Sequence, residues 1–274
     1  MKNLIKNIMI SSIFQIVRIV KHGLECHFFR IGRVNPEPIV VYGNQKSGTT
    51  AIASLLSEST ALSLTPDFFY RVPGYERKFL AEGASVKKLV SRFRSFFSKD
   101  IIKEPGLSLH YDAVQEYFKQ PKAVYIVRDP RENVKSILSR LRIPGDVQLY
   151  DNDVEDLIQK HGNDEWRLLL QGYGDHVVES LARRCNECLK IAEKAKSDPD
   201  TVVVKYEDFL SDKRGFIETL AKHLSLAHGR DIDHLLDVQF QPKSKVSRFE
   251  DYLSKDNIQL IDEICKASMA GFGY

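Results

Sequence analysis

The feature that most constrains the fold is the stretch of residues 38–58, where a strand pattern is followed by a glycine-bounded loop and a helix pattern. Residues 39–42 (IVVY) form an unbroken apolar run, typical of a buried strand in a parallel sheet. Gly43 and Gly48 bound the loop, and residues 49–56 have the composition of a short helix. Such a loop presents backbone N–H groups and the positive end of a helix to an anion, so the sequence predicts a phosphate-binding loop.

The position of the lysine distinguishes this loop from that of nucleotide triphosphatases. In the Walker pattern a lysine follows the second glycine directly and binds the β and γ phosphates. Here Thr49 stands in that position, and Lys46 lies inside the loop. A lysine at this point suits a ligand with one 5′ phosphate that carries a transferable group, because charge develops on the bridging oxygen as the group leaves.

A second anion-binding pattern follows residues 123–127 (AVYIV), which are also predicted to form a buried strand. Arg128 comes at the end of that strand, Pro130 is well placed to begin a helix, and Ser136 lies two turns into it. Ligands of open parallel sheets bind beyond the carboxyl ends of the strands. We therefore expect Arg128 and the glycine-bounded loop to face the same crevice.

Both patterns resemble signatures of the PAPS-dependent sulfotransferase family, where PAPS is 3′-phosphoadenosine 5′-phosphosulfate. K-S-G-T-T at residues 46–50 resembles the 5′-phosphosulfate loop, usually written P-K-S-G-T-T, with Gln45 in place of the proline. R-D-P-R-E-N-V-K-S at residues 128–136 resembles the segment whose arginine and serine hold the ribose 3′ phosphate. Residues 205–209 (KYEDF) and 244–248 (SKVSR) are similar to two further family segments that approach the cofactor.

The resemblance is closer to bacterial, glycan and tyrosylprotein sulfotransferases than to the phenol and steroid class. Pro105 stands where that class carries a histidine, and its C-terminal glycine-rich cofactor loop is missing. The resemblance implies that PAPS is the cofactor and that no metal is needed. The implied cofactor-binding residues are Gln45, Lys46, Ser47, Gly48, Thr49, Thr50, Arg128, Ser136, Tyr206, Ser244 and Lys245.

The implied reaction is in-line transfer of a sulfuryl group to a hydroxyl or amine, which requires mainly positioning and charge stabilisation. Lys46 would neutralise the bridging oxygen, and Lys103 would hold the sulfuryl oxygens. A general base must take the acceptor proton. Asp67 is preferred because it lies 21 residues after Lys46, close to where glycan and tyrosylprotein enzymes place a glutamate, and Glu104 and His110 are the alternatives.

The expected acceptor is a carbohydrate or glycan, with a small molecule as the other candidate and no nucleic acid partner. Two rival functions are a P-loop kinase or nucleotide hydrolase, and a non-catalytic nucleotide-binding scaffold. The missing lysine at position 49 argues against the first.

Strands alternating with helices predict an α/β fold, a P-loop-like three-layer sandwich with a mainly parallel central sheet. The predicted strands are residues 39–42, 61–65, 101–103, 123–127 and 201–205. Residues 85–99 predict a helix with a basic face, either solvated or in contact with an acidic acceptor. Residues 142–165 are acidic and predict a loop or lid, and residues 175–196 predict a long helix.

At 274 residues, the chain is long enough for one sulfotransferase domain, residues 35–274, after an N-terminal amphipathic helical segment, residues 1–34. That segment fits either a helix on an anionic membrane surface or a helix packed on the core. Residues 1–140 carry 22 Lys and Arg against 12 Asp and Glu, which favours an anionic cofactor.

The four cysteines do not make a disulfide framework, which favours a reducing compartment. We expect a cytoplasmic protein, with or without membrane association, rather than one of the Golgi lumen. Cys185 and Cys188 are interpreted as residues of a helix and not as a metal or redox site.

Overall fold

In the part of the chain that the structure describes, five parallel strands form one central sheet, in the order β2-β3-β1-β4-β5. The structure is a computed structural model that describes residues 29–69, 72, 85–240 and 248–274. The strands are β1 Ile39–Gly43, β2 Leu64–Thr65, β3 Ile101–Lys103, β4 Ala123–Val127 and β5 Thr201–Lys205. Because all strands are parallel, their carboxyl ends meet at one edge of the sheet, where ligands of such folds bind.

Helices cover both faces of the sheet. They are α1 Thr49–Thr60, α2 Val86–Arg92, α3 Tyr111–Phe118, α4 Pro130–Leu141, α5 Asn152–His161, α6 Asp164–Gln171, α7 Val177–Ala195, α8 Tyr206–Ser211, α9 Lys213–His223, α10 Asp233–Leu236 and α11 Lys255–Ala270. A 3-10 helix, Pro105–His110, precedes α3.

The alternation of side chains along β1 produces the three layers. Val40 and Tyr42 belong to the apolar cluster on one face of the sheet, with residues of α4, α7 and α11. Ile39 and Val41 belong to the cluster on the other face, with residues of α1 and α9. All five residues of β1 are buried, because helices cover the strand from both sides. The predicted α/β sandwich with a mainly parallel sheet is confirmed.

Two predicted elements are shorter than the sequence suggested. The strand expected at 61–65 is only Leu64–Thr65, because Ala61 ends α1 in the left-handed conformation with φ 61°. The helix expected at 85–99 ends at Arg92. The chain then turns, yet Phe96 and Phe97 remain buried, so the apolar pattern reflected burial and not a continuous helix.

The predicted loop or lid at 142–165 is loop only in part: residues 142–151 are not helical, but most of the remainder is helix. This acidic stretch contains α5 and the start of α6. The carboxylate of Asp151 accepts a 2.9 Å hydrogen bond from the N–H of Val154 and so caps α5. Val154 and Ile158 are buried on the inner face of this helix, while its acidic residues face outward. The polar composition therefore marked a surface helix.

Several sequence predictions lie outside the described residues. These are the N-terminal segment, of which only residues 29–34 are described, and the cofactor-binding residues Ser244 and Lys245. None of the described helices is long and apolar enough to cross a membrane. Cys185 and Cys188 lie on α7 and are buried free thiols.

Candidate active site

The loop after β1 is built around a tight turn at residues 44–47. The N–H of Ser47 donates a 3.1 Å hydrogen bond to the carbonyl oxygen of Asn44, and the Ser47 hydroxyl donates to the same oxygen at 2.7 Å. Lys46, the third residue of the turn, has φ 66°, whereas Gln45 is not among the residues with positive φ. This combination defines a type II turn. The left-handed conformation costs a residue with a side chain about 1–2 kcal/mol, so other contacts must hold Lys46 there.

Both glycines of the loop occupy positions where a side chain would collide. Gly43 has φ 145°, and a Cβ there would lie 2.7 Å from the Oγ of Ser47. Gly48 has φ 89°, and a Cβ there would lie 2.2 Å from ring atoms of Tyr206. Gly48 is also the N-cap residue of α1. It has no side chain to accept a hydrogen bond from the first backbone N–H groups of the helix.

A buried polar network supports the loop from below. Nε of Arg184 donates to Oδ1 of Asn44 at 3.0 Å, and Nη2 donates to Oε1 of Gln45 at 3.0 Å. Nδ2 of Asn133 donates to the carbonyl oxygen of Gln45 at 2.9 Å. Asn44, Asn133 and Arg184 are each less than 7% exposed. The loop is therefore held by α4 and α7 as well as by its own turn.

Arg128 joins the loop to the end of β4. Its Nη1 donates a 2.6 Å hydrogen bond to the carbonyl oxygen of Lys46, and its guanidinium lies 4.7 Å from the centroid of the Tyr206 ring. Its Nη2 is 3.4 Å from a carboxylate oxygen of Glu132. Tyr206 thus packs between Gly48 and Arg128, which explains how the first residue of α8 comes to the site.

A cleft of about 570 Å³ opens at this edge of the sheet. Nine of the predicted site residues line it: Gln45, Lys46, Gly48, Thr49, Thr50, Asp67, Arg128, Ser136 and Tyr206. Ser47 and Lys103 are buried and do not line it. The expectation that Arg128 and the loop face one crevice agrees with this geometry.

The cleft concentrates positive charge around Lys46. Burial, together with the charges of Arg128, Arg140 and Lys103, lowers the pKa of Lys46 from its ordinary 10.5 to about 8. Desolvation and like charges both disfavour the ammonium form. A bound anion would reverse the second effect, so the site is suited to a negatively charged ligand.

Lys103 and Asp67 form an ion pair at the edge of the cleft. The side chain of Lys103 is 2% exposed and that of Asp67 is 36% exposed, so the carboxylate is the member of the pair that solvent or a ligand can reach.

Glu104, the second candidate for the general base, also lines the cleft, but both of its carboxylate oxygens accept hydrogen bonds from backbone N–H groups. Oε2 of Glu104 accepts from the N–H groups of Phe68 and Phe69, at 2.8 and 3.0 Å, and Oε1 accepts from the N–H of Gly106 at 3.0 Å. This carboxylate therefore organises the backbone. His110 does not line the cleft, and burial lowers its pKa.

Several residues of the site were not among those predicted from the sequence. Arg184 lies under the loop, and Lys135, Arg140 and Trp166 line the cleft. Lys135 lies inside the second signature, and Arg140 lies four residues after it on the same helix as Ser136, so the helix that follows β4 was the available signal. Arg184 gave only a weak signal, an arginine among the apolar residues of a helix.

In the described part of the chain, no group of three or more His, Cys, Asp or Glu residues is placed to hold a metal ion. The fold and the site together define an α/β protein of P-loop-like architecture, with a cationic cleft at the carboxyl ends of β1 and β4.

The sequence matches the sulfotransferase domain family over residues 36–273, so the chain belongs to that family. The fold is similar to the crystal structure of a sulfotransferase from Alicyclobacillus acidocaldarius, with a TM-score of 0.50 and 14% identity, over 87% of this chain and 94% of that one. It is also similar to mouse sulfotransferase SULT7A1 complexed with PAP, with a TM-score of 0.53 and 15% identity, over 90% of each chain. No curated protein sequence matches this chain.

Proposed function

We propose that this protein transfers a sulfuryl group from PAPS to a hydroxyl or amine of a carbohydrate acceptor. The observation that carries the proposal is the meeting of Lys46, Arg128 and Ser136 in one cleft, with the lysine inside the loop and not after it. This arrangement suits a ligand with separate anionic groups on its 5′ and 3′ sides. Mouse SULT7A1, which shares the fold, was crystallised with PAP.

The residues present fit such a cofactor. A Cβ on Gly48 would collide with the Tyr206 ring, so the glycine keeps the loop backbone close to the tyrosine and open to a ligand. The backbone at the start of α1, with the side chains of Lys46, Thr49 and Thr50, would hold the 5′ phosphosulfate. Arg128 and Ser136 would hold the 3′ phosphate, because a guanidinium offers two parallel donors to a phosphate.

When bound, PAPS supplies a sulfuryl group on a good leaving phosphate. Lys46 would stabilise the charge that develops on the bridging oxygen. Lys103 keeps Asp67 oriented toward the cleft. With PAPS bound, the carboxylate of Asp67 would take the proton of the acceptor hydroxyl, the acceptor oxygen would receive the sulfuryl group, and PAP would be the leaving group.

The carbohydrate assignment rests on the wall formed by the start of α6. Asn163, Glu165 and Trp166 line the cleft there. Oδ1 of Asn163 accepts from the N–H groups of Glu165 and Trp166 and so fixes this turn. An indole ring beside amide and carboxylate groups offers a sugar both an apolar surface and hydrogen-bond partners.

Calorimetric titration with PAP and with ATP, for the parent protein and Lys46→Ala, tests the cofactor. We expect the parent to bind PAP more tightly than ATP and Lys46→Ala to lose most of the PAP affinity. Equal PAP affinity in the two proteins, or preference for ATP, would overturn the assignment. Transfer of labelled sulfuryl from PAPS to a panel of glycans and phenols tests the acceptor. PAP binding without transfer to any of them would favour a non-catalytic scaffold.

A further inference from the structure

The second residue of the turn at residues 44–47 is Gln45, and its own covalent structure does not restrain its backbone φ. In a type II turn the second residue needs φ near −60°, which proline adopts by its ring. Gln45 occupies that position, and its backbone has no such restriction. Its side chain is instead fixed, because Oε1 accepts from both Nε and Nη2 of Arg184, at 3.2 and 3.0 Å.

Arg184 reaches the loop from the middle of α7. It is 6% exposed and lies 139 residues from Gln45 in the sequence. Its Nε also donates to Oδ1 of Asn44, the first residue of the turn. One guanidinium therefore contacts two consecutive residues of the turn, immediately before Lys46. A planar fork of this kind fixes orientation in a way that a lysine ammonium does not.

We propose that Arg184 is a positioning residue that holds Gln45 in the turn and thereby keeps Lys46 in its left-handed conformation beside the cleft. Lys46 is part of the proposed sulfuryl-transfer site, so the effect of Arg184 on catalysis rests on the proposed function. Its effect on the conformation of the turn does not. Removing the fork frees the side chain of Gln45, whose carbonyl oxygen keeps its hydrogen bond from Asn133, and the turn then exchanges more often with conformations in which Lys46 relaxes to negative φ.

Hydrogen exchange tests the conformational part without any cofactor. In Arg184→Gln we expect the amide of Ser47, which closes the turn, to exchange about tenfold faster, as loss of about 1.4 kcal/mol would give. Amides of α9, on the opposite face of the sheet, report general destabilisation and should change far less. The control is Arg183→Gln, since this neighbour is half-exposed and pairs with Glu179. Unchanged exchange at Ser47 in Arg184→Gln would overturn the proposal.

Gln45→Pro should rescue the Arg184→Gln variant if Arg184 acts by restraining residue 45. No such rescue is expected if Arg184 only stabilises the fold. If Arg184 acts by restraining residue 45, then Gln45→Pro should make it dispensable. We expect Arg184→Gln to lower kcat/KM for PAPS about tenfold in the parent but less than about twofold in the Gln45→Pro background, as coupled residues behave. Equal losses in the two backgrounds would reject the proposal.

Three further variants keep the test decisive. Arg184→Lys retains the charge and loses the fork, and should behave like Arg184→Gln, which separates positioning from charge. If Gln45→Pro does not fold, Gln45→Ala and its double variant with Arg184→Gln replace it, and the double variant should lose no more than either single one. Exchange that follows this pattern in a protein that transfers no sulfuryl group would support the positioning role and refute the proposed function.

Discussion

Arg128 and Lys46 are 82 residues apart in the chain, yet Nη1 of Arg128 donates a 2.6 Å hydrogen bond to the carbonyl oxygen of Lys46. The bond connects the carboxyl end of β4 to the loop that follows β1, and these two strands are neighbours in the sheet. It fixes the distance between the two groups proposed to hold the 3′ and 5′ ends of the cofactor. The same contact places the guanidinium near the ammonium of Lys46 and contributes to the lowered pKa of that lysine.

The pH dependence of transfer should report Lys46. Because its pKa is lowered to about 8, the ammonium form is lost as pH rises through that value. We expect kcat/KM for PAPS, which reflects the free enzyme, to fall with a midpoint near pH 8. The bound anion favours the ammonium, so the corresponding fall in kcat should come at higher pH.

Lys46→Arg provides the control for this profile, since a guanidinium stays charged throughout the range. The alkaline fall in kcat/KM should disappear in that variant, whatever its absolute rate. A fall with the same midpoint in Lys46→Arg would assign the titration to another group.

Gly48→Ala should weaken cofactor binding. The added Cβ would lie 2.2 Å from the Tyr206 ring, so the ring or the loop must move. Overpacking of this kind typically costs 1–3 kcal/mol, and we expect PAP affinity to fall about 10- to 100-fold in calorimetry. Gly229→Ala is the matched control, because Gly229 also has positive φ, 129°, but nothing lies within 4 Å of its Cβ position. Comparable PAP affinities in the two variants would contradict the role given to Tyr206.

Asp67→Asn should remove the proton acceptor while leaving the cofactor site intact. We expect kcat to fall about 10²- to 10⁴-fold, the usual contribution of a general base, with PAP affinity changed less than about twofold. Transfer at the parent rate in Asp67→Asn would exclude Asp67 as the base.

Glu104→Gln should chiefly destabilise the fold. The carboxylate accepts from three backbone N–H groups, and an amide has a single acceptor oxygen to offer them. One lost hydrogen bond of a buried group costs about 1–3 kcal/mol, which thermal unfolding detects as a lowered Tm. Loss of kcat at an unchanged Tm would instead indicate that Glu104 takes part in the chemistry.

Arg128→Gln should weaken the discrimination between PAP and AMP, which lacks the 3′ phosphate. The proposed contact with the 3′ phosphate and the hydrogen bond to the carbonyl oxygen of Lys46 are both lost, so we expect PAP affinity to fall at least about tenfold and AMP affinity to fall by a smaller factor. Ser136→Ala should move the ratio in the same direction by a smaller factor. An equal loss for PAP and AMP would show that Arg128 acts on the loop and not on the 3′ phosphate.

Trp166→Ala should affect the acceptor and not the cofactor. The indole lines the cleft from the start of α6, a helix that carries none of the residues assigned to PAPS. We expect KM for the acceptor to rise about tenfold and KM for PAPS to stay within about twofold. A rise confined to the KM for PAPS would place the cofactor against Trp166.

The sequence alone was sufficient for the parts of the protein that depend on neighbouring residues. The run 39–42, the two glycines and the helix composition after them belong to one continuous segment, so the strand, turn and helix could be predicted together. Arg128 and Ser136 were predictable for the same reason, because a strand and the helix that follows it place them at one sheet edge.

Elements whose signal was polar or mixed were predicted less well. The acidic residues around 151–165 suggested a loop, although Asp151 and Asn163 were available as helix caps and Val154 and Ile158 as an apolar face. Composition describes the solvated side of such a helix, whereas its existence depends on packing against the core.

Only the tertiary structure determined what surrounds Lys46. Three interactions at the site join residues that are far apart in sequence. Arg184 supports Gln45, and Tyr206 packs on Gly48. The charges of Arg140 and Lys103 help to lower the pKa of Lys46. These contacts exist because α7 and β5 pack beside β4, and no local pattern specifies which side chains then meet. The sequence by itself predicted an anion-binding loop. Tertiary packing determined the pKa of Lys46 and the rigidity of the loop, because the burial of the lysine and the side chains close to it set both properties.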